Sequence, residues 1–168
     1  MGSPADEPVE VIDETGEVQR VVTRAEMRAG NLLHRNVLVV VRRSSGAVVV
    51  HQRADWKDVN PSMWDLAFGG VPGVGESDVD AAVRELSEEA GLDVDPADLN
   101  PLGPARWSDD SIRWIGSMFE VVDDREIAPV DGEVVAVDEV SPIDLANWSV
   151  GVDVCADSAW VLVPRLAM

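Results

Sequence analysis

Glu85, Glu88 and Glu89 place three carboxylates within five residues, directly behind Arg84. Upstream lies a glycine-punctuated run, Gly70-Val-Pro-Gly-Val-Gly75, closed by another acid, Glu76. On a helix, residues three and four apart are neighbours, so the three glutamates share a face with Ala81. Two carboxylates about 5 Å apart repel by roughly 3 kcal/mol at an effective dielectric near 20. An uncompensated trio would protonate at least one member. A hard divalent cation removes the conflict, and oxygen ligands of this kind suit Mg2+, with Mn2+ as a substitute. A solvated acidic face would explain the glutamates alone in a chain of net charge −19. The glycine run, Glu76 and Arg84 in fixed register argue for the metal site instead.

The elements that must position these groups surround them. Ser77 can cap a helix, with Asp80 three residues on to complete a capping box. Val79, Ala82, Val83, Leu86 and Ala90 recur at helical spacing as an anchoring apolar face. Gly91 supplies a left-handed stop. The spacing therefore predicts a helix over Ser77–Ala90. Further helices are predicted at Ser141–Asn147, with Ser141 capping and Pro142 first, and near Asp157–Leu166, where Pro164 conflicts with the pattern. Strands are predicted around Glu10–Asp13, Val18–Thr23, Val37–Arg42, Ala47–Gln52, Ile112–Val121 and Val134–Asp138. The continuous Val37–Val41 run fits a strand covered on both faces. Strands mixed with flanking helices fit an α/β fold, an α/β/α sandwich with a mixed β-sheet.

The run Gly70–Leu92 resembles the Nudix signature, G-x5-E-x7-R-E-U-x-E-E-x-G-U, where U is a bulky aliphatic residue. Gly70, Glu76, Arg84, Glu85, Glu88, Glu89 and Gly91 fall on its fixed positions, and Leu86 and Leu92 on its aliphatic ones. The resemblance implies a Nudix fold and a pyrophosphohydrolase, cleaving a diphosphate linked to another moiety by attack of water on phosphorus with Mg2+ present. It implies Glu85, Glu88 and Glu89 as metal ligands, with the Gly70 carbonyl as a further one, and a Glu76–Arg84 ion pair holding loop and helix in register. The general base varies across the family; Glu85, Glu88 and a later loop glutamate, here matched by Glu133, are the candidates. Homodimers are common in the superfamily, so dimerisation is open.

Outside the box the chain is similar to the Nudix branch containing isopentenyl diphosphate isomerase. Glu10–Val18 looks like that branch's first hairpin, with Thr15-Gly16 at the turn. Asn31-Leu-Leu-His34-Arg35 and the stretch from Gln52 to Trp64 match as well. The resemblance implies Arg53 and Lys57 as contacts to the substrate diphosphate. The departures weigh more. The isomerases have a catalytic cysteine where this chain has Gly69, and metal-binding histidines where it has Val71 and Met27; only His34 remains. Hydrolysis is therefore favoured over isomerisation, and His34 reads as a structural histidine. A nucleotide-binding module without turnover is a third reading.

A chain of 168 residues suits one domain with a real core. Residues 1–8 are polar and proline-bearing, predicting a disordered tail before a single domain over 9–168 that includes the N-terminal hairpin. No stretch approaches 18 consecutive apolar residues and no signal sequence opens the chain, so no membrane partner is expected. The lone Cys155 fits a reducing cytoplasm. Thirty-two acids against 13 lysines and arginines argue against a nucleic-acid polymer as partner, while a small diphosphate with bound Mg2+ is allowed. Of the six tryptophans, Trp64, Trp107 and Trp114 lie nearest the expected pocket, but burial in the core is the better expectation for each.

Overall fold

The computed structural model describes residues 3–167. Strand β3 (His34–Arg42) is the centre of a mixed sheet. Its continuous apolar sequence demands cover on both sides, and Val37 through Val41 are all buried. Strand β8 (Arg113–Val122) runs parallel to it over its whole length, with β7 (Asn100–Ser108) antiparallel outside β8. On the other side, β3 meets β1 (Pro8–Ile12), β6 (Phe68–Gly70) and β4 (Val48–Arg53) in turn. Strand β2 (Val18–Thr23) flanks β1, while β5 (Trp64–Asp65) and β9 (Val134–Val140) flank β4.

The two faces of β3 found two cores. Val39 and Val41 pack under Ala82, Leu86 and Ala90 of the acidic helix, together with Phe68. Leu38 and Val40 pack under Leu145, Leu162 and Leu166 of the C-terminal helices, together with Trp114. The expected α/β/α sandwich results. The acidic helix is α2 (Asp78–Glu85), continued by a π-helical turn over Leu86–Ala90 and stopped by Gly91 at φ 66°. The C-terminal pair is α3 (Leu145–Gly151) and α4 (Ala156–Leu166).

Several expectations need correction. A short helix α1 (Arg24–Ala29) was not anticipated, although Thr23 and Glu26 form a reciprocal capping box. Strand β7 was missed because Pro101 and Pro104 interrupt it; as an edge strand it tolerates them. Helix α3 begins at Leu145, not at Ser141, because Pro142–Asp144 form a turn and Leu145 is the first side chain to reach the core. Pro164 does lie inside α4; the carbonyl it leaves unpaired belongs to Trp160, which is 73% exposed and open to water. In the tail, Met1 and Gly2 lie outside the described residues, but Pro4–Asp6 form a 3-10 turn and Pro8 already belongs to β1. Glu7 fixes this segment, accepting from the Arg24 amide at 2.8 Å and pairing with its guanidinium at 2.6 Å.

Candidate active site

The glycine run leaves β6 and turns back into α2, held from two directions. Arg84 donates through Nε to Glu76 Oε1 at 2.9 Å and through Nη2 to Oε2 at 3.0 Å. Glu76 also accepts from the Gly73 amide at 2.7 Å, which ties the loop to the helix. From the first hairpin, the buried Glu10 accepts from the Gly75 amide at 2.9 Å and pairs with Arg35 at 3.2 Å. Arg35 also grips Asp78, whose other oxygen accepts from the Ser117 hydroxyl at 2.5 Å. Glu10, Arg35 and Asp78 were not singled out in the sequence, since no local spacing connects them.

Glu85 and Glu89 lie buried against the backbone of Gly69 and Gly70. A Cβ added to Gly70 would stand 2.6 Å from Glu85 Oε1, and the Gly69 amide donates to Glu89 Oε2 at 3.0 Å. Burial pushes the Glu85 carboxyl up to about 7, with the Arg84 charge pulling the other way. Burial likewise raises Glu89 well above the carboxylate range, the Glu85 charge adding to the shift and Lys57 opposing it. Glu88 is different, half-exposed at the rim. The wider π turn rotates it toward solvent while Glu89 stays in line with Glu85.

Two cations serve these acids. Arg84 Nη1 donates to Glu85 at 2.8 Å and to Glu88 at 3.1 Å. Lys57 pairs with Glu133 and stands 3.9 Å from Glu89. All of these groups line one cavity of about 940 Å3, whose far wall is the segment Ser3–Pro8, Arg24 and Arg28 of α1, and Trp56. Eight acids and four bases line it. Each base is already ion-paired, Arg24 with Glu7 and Arg28 with Asp58 among them. An anionic substrate would enter such a cavity only with cations of its own.

The structure thus brings together Gly70, Glu76, Arg84, Glu85, Glu88, Glu89, Lys57 and Glu133. It does not bring Arg53. That guanidinium, expected at the diphosphate, is turned to the Val59 carbonyl and toward the buried Asp65. The tryptophan on the cavity wall is Trp56, 60% exposed. Trp64 packs edge-on against Trp148, and Trp114 is buried with its indole donating to Asp157. His34 is buried, its Nδ1 2.9 Å from the Leu32 carbonyl, in keeping with a structural histidine. At Gly69, a Cβ would meet the Val37 carbonyl oxygen at 2.0 Å, so this backbone has no room for the isomerase cysteine.

Among the described residues, no three His, Cys, Asp or Glu side chains are grouped so as to hold a metal ion. The donor chemistry nevertheless fits a hard divalent cation. Every donor is an oxygen, and Glu85 and Glu89 are buried carboxyls set side by side against the Gly69–Gly70 backbone.

A mixed-sheet sandwich with a glycine loop and an acidic helix beneath a cavity defines a Nudix-type domain. The chain belongs to the Nudix family: the NUDIX domain model matches residues 32–153. It is 44% identical over 89 residues to an uncharacterized Nudix hydrolase of Streptomyces coelicolor, covering 53% of this chain and 49% of that protein, about half its length. It is 32% identical over 137 residues to the uncharacterized Nudix hydrolase YfcD of Escherichia coli, covering 82% of this chain and 75% of YfcD. The fold is shared with the crystal structure of DR0079 from Deinococcus radiodurans at a TM-score of 0.78 and 22% identity, covering 96% and 100% of the two chains. Among the described residues, no helix is long and apolar enough to cross a membrane.

Proposed function

We propose that the protein is a Mg2+-dependent pyrophosphohydrolase that cleaves a phosphoanhydride bond in a nucleoside diphosphate-linked or related diphosphate compound. The observation that carries this reading is the buried Glu85–Glu89 pair set against the Gly69–Gly70 backbone inside the cavity. Family membership supports the reaction class. Glu85, Glu88, Glu89 and the Gly70 carbonyl would hold Mg2+, with Mn2+ as a substitute. When bound, the ion supplies charge neutralisation on the phosphates and activation of water.

The chain's own residues supply the rest. Glu76 and Arg84 keep loop and helix in register, so the ligand carboxylates arrive together. Lys57, on the loop facing Glu89, offers a positive charge to the incoming phosphates in an otherwise acidic cavity. Glu133, paired with Lys57, would accept a proton from the attacking water, with Glu85 and Glu88 the alternative bases. Isomerisation of an allylic diphosphate lacks its machinery, since Gly69 cannot carry a side chain on this backbone.

The test is a Mg2+-supplemented screen of nucleotides, nucleotide sugars, dinucleoside polyphosphates and prenyl diphosphates, with products identified by mass. Hydrolysis that disappears in Glu85→Gln and Glu89→Gln is the expected result. Undiminished turnover in either variant would remove the ligand assignment. Dimethylallyl diphosphate formed from isopentenyl diphosphate would replace hydrolysis with isomerisation.

A further inference from the structure

We infer that Arg53 is a positioning residue whose forked guanidinium pins the loop carrying Trp56, Lys57 and Asp58, and thereby sets where Glu133 stands. The kinetic side of this inference rests on the hydrolase reading above; the conformational side does not.

After β4 the chain departs over residues 54–63 and returns at Trp64. The neck is closed by the Arg53 amide donating to Met63 at 2.9 Å and the Ser62 amide donating to Ala54 at 3.3 Å. Asn60 and Ser62 sit at φ 51° and 62°, left-handed positions that side chains seldom adopt without outside support. Arg53 gives that support. Its Nη2 and Nε donate to the Val59 carbonyl at 3.0 and 3.3 Å, while Nη1 lies 3.8 Å from the buried Asp65. One side chain therefore joins the loop's crest to β5.

The effect reaches the second loop. The Ala54 amide donates to the Glu133 carbonyl at 2.8 Å, and Lys57 pairs with the Glu133 carboxylate. Loop 54–63 and the segment ending at Glu133 are thus tied at backbone and side chain. Lysine at position 53 would keep the charge but not the fork, so it could not bridge Val59 and Asp65 together.

The experiment compares Arg53→Lys and Arg53→Gln with the unaltered protein by hydrogen exchange, thermal melting and steady-state kinetics on the best substrate of the screen. Both variants are expected to exchange faster over residues 54–63 and 129–133 and not over α2. Their kcat is expected to fall roughly 10- to 100-fold, with KM changing less, as for a misplaced reacting group. A lysine variant that restores both exchange and kcat would mean that charge alone matters, and would overturn the inference. So would a rise in KM alone with unchanged exchange, the mark of direct phosphate contact, or faster exchange spread across α2. If Arg53→Gln does not fold, Asp65→Asn must loosen the same two segments; unchanged exchange there overturns the inference too. Absence of hydrolysis in the unaltered protein would sink the functional reading and leave the exchange result to judge Arg53.

Discussion

The Glu85 carboxylate occupies the space where a Gly70 side chain would stand, with 2.6 Å between a Cβ built there and Oε1. One residue earlier, a Cβ on Gly69 would meet the Val37 carbonyl oxygen at 2.0 Å. The two obstructions differ in kind. One is the end of a flexible side chain; the other is the backbone of the central strand.

Gly70→Ala should therefore leave the fold and damage the site. The Glu85 carboxylate can swing aside, so the melting temperature should change little. Mg2+-dependent turnover should fall roughly 100-fold, as for a ligand displaced by about 1 Å. A variant with full activity would show that Glu85 does not need its observed place.

Gly69→Ala should do the reverse. Strand β6 must move away from β3, which costs about 1–3 kcal/mol on the scale of overpacking. Chemical denaturation of the two glycine variants side by side measures the difference. Equal stability would contradict the strand contact.

Glu85→Gln should raise stability while it lowers activity. The buried carboxyl titrates near 7 in the folded protein against an ordinary value of 4.5. A raised acid contributes fully below the unfolded value, and that contribution is lost as pH rises through the folded one. Glutamine mimics the protonated form. The variant should match the unaltered protein near pH 4.5 and exceed it above pH 7, by at most about 3 kcal/mol. Denaturation midpoints across pH 4.5–8 read this directly, and a constant gap would reject it.

Acid should act on the two buried histidines in the opposite direction. Burial holds His34 down to about 4 and His51 to about 3, against 6.5 when unfolded. Their contribution is complete above pH 6.5 and is lost as pH falls through those folded values, about 3 kcal/mol for His34 and about 5 kcal/mol for His51. Neither imidazole resonance should titrate between pH 8 and 5 in the folded protein. A titration midpoint near 6.5 for either would show that it is not sealed from water.

What was legible in the sequence was what is local in it. The acids of α2 follow one another at helical spacing, and the Glu76–Arg84 pair lies inside the same run, so both could be read directly. Val37–Val41 announced a doubly covered strand by composition alone. The missed features are those made by distance or by exception. Glu10, Arg35 and Asp78 meet only once β1, β3 and α2 are assembled. Trp56 reaches the cavity because the loop after β4 folds toward α2, which no periodicity records. Arg53 turns to Val59 and Asp65, partners 6 and 12 residues along the chain that no local spacing records. The proline-bearing β7 violated the rule for strands in general while obeying the one for edges.

Glu10 grips the Gly75 amide from outside the stretch that the family model covers, which begins at residue 32. Trimming the chain to residues 32–153 would cut away that grip and, with α4, strip the lid from Leu38 and Val40. A piece cut back to the recognisable stretch is therefore expected to lose stability, and any shortened version should keep its opening hairpin.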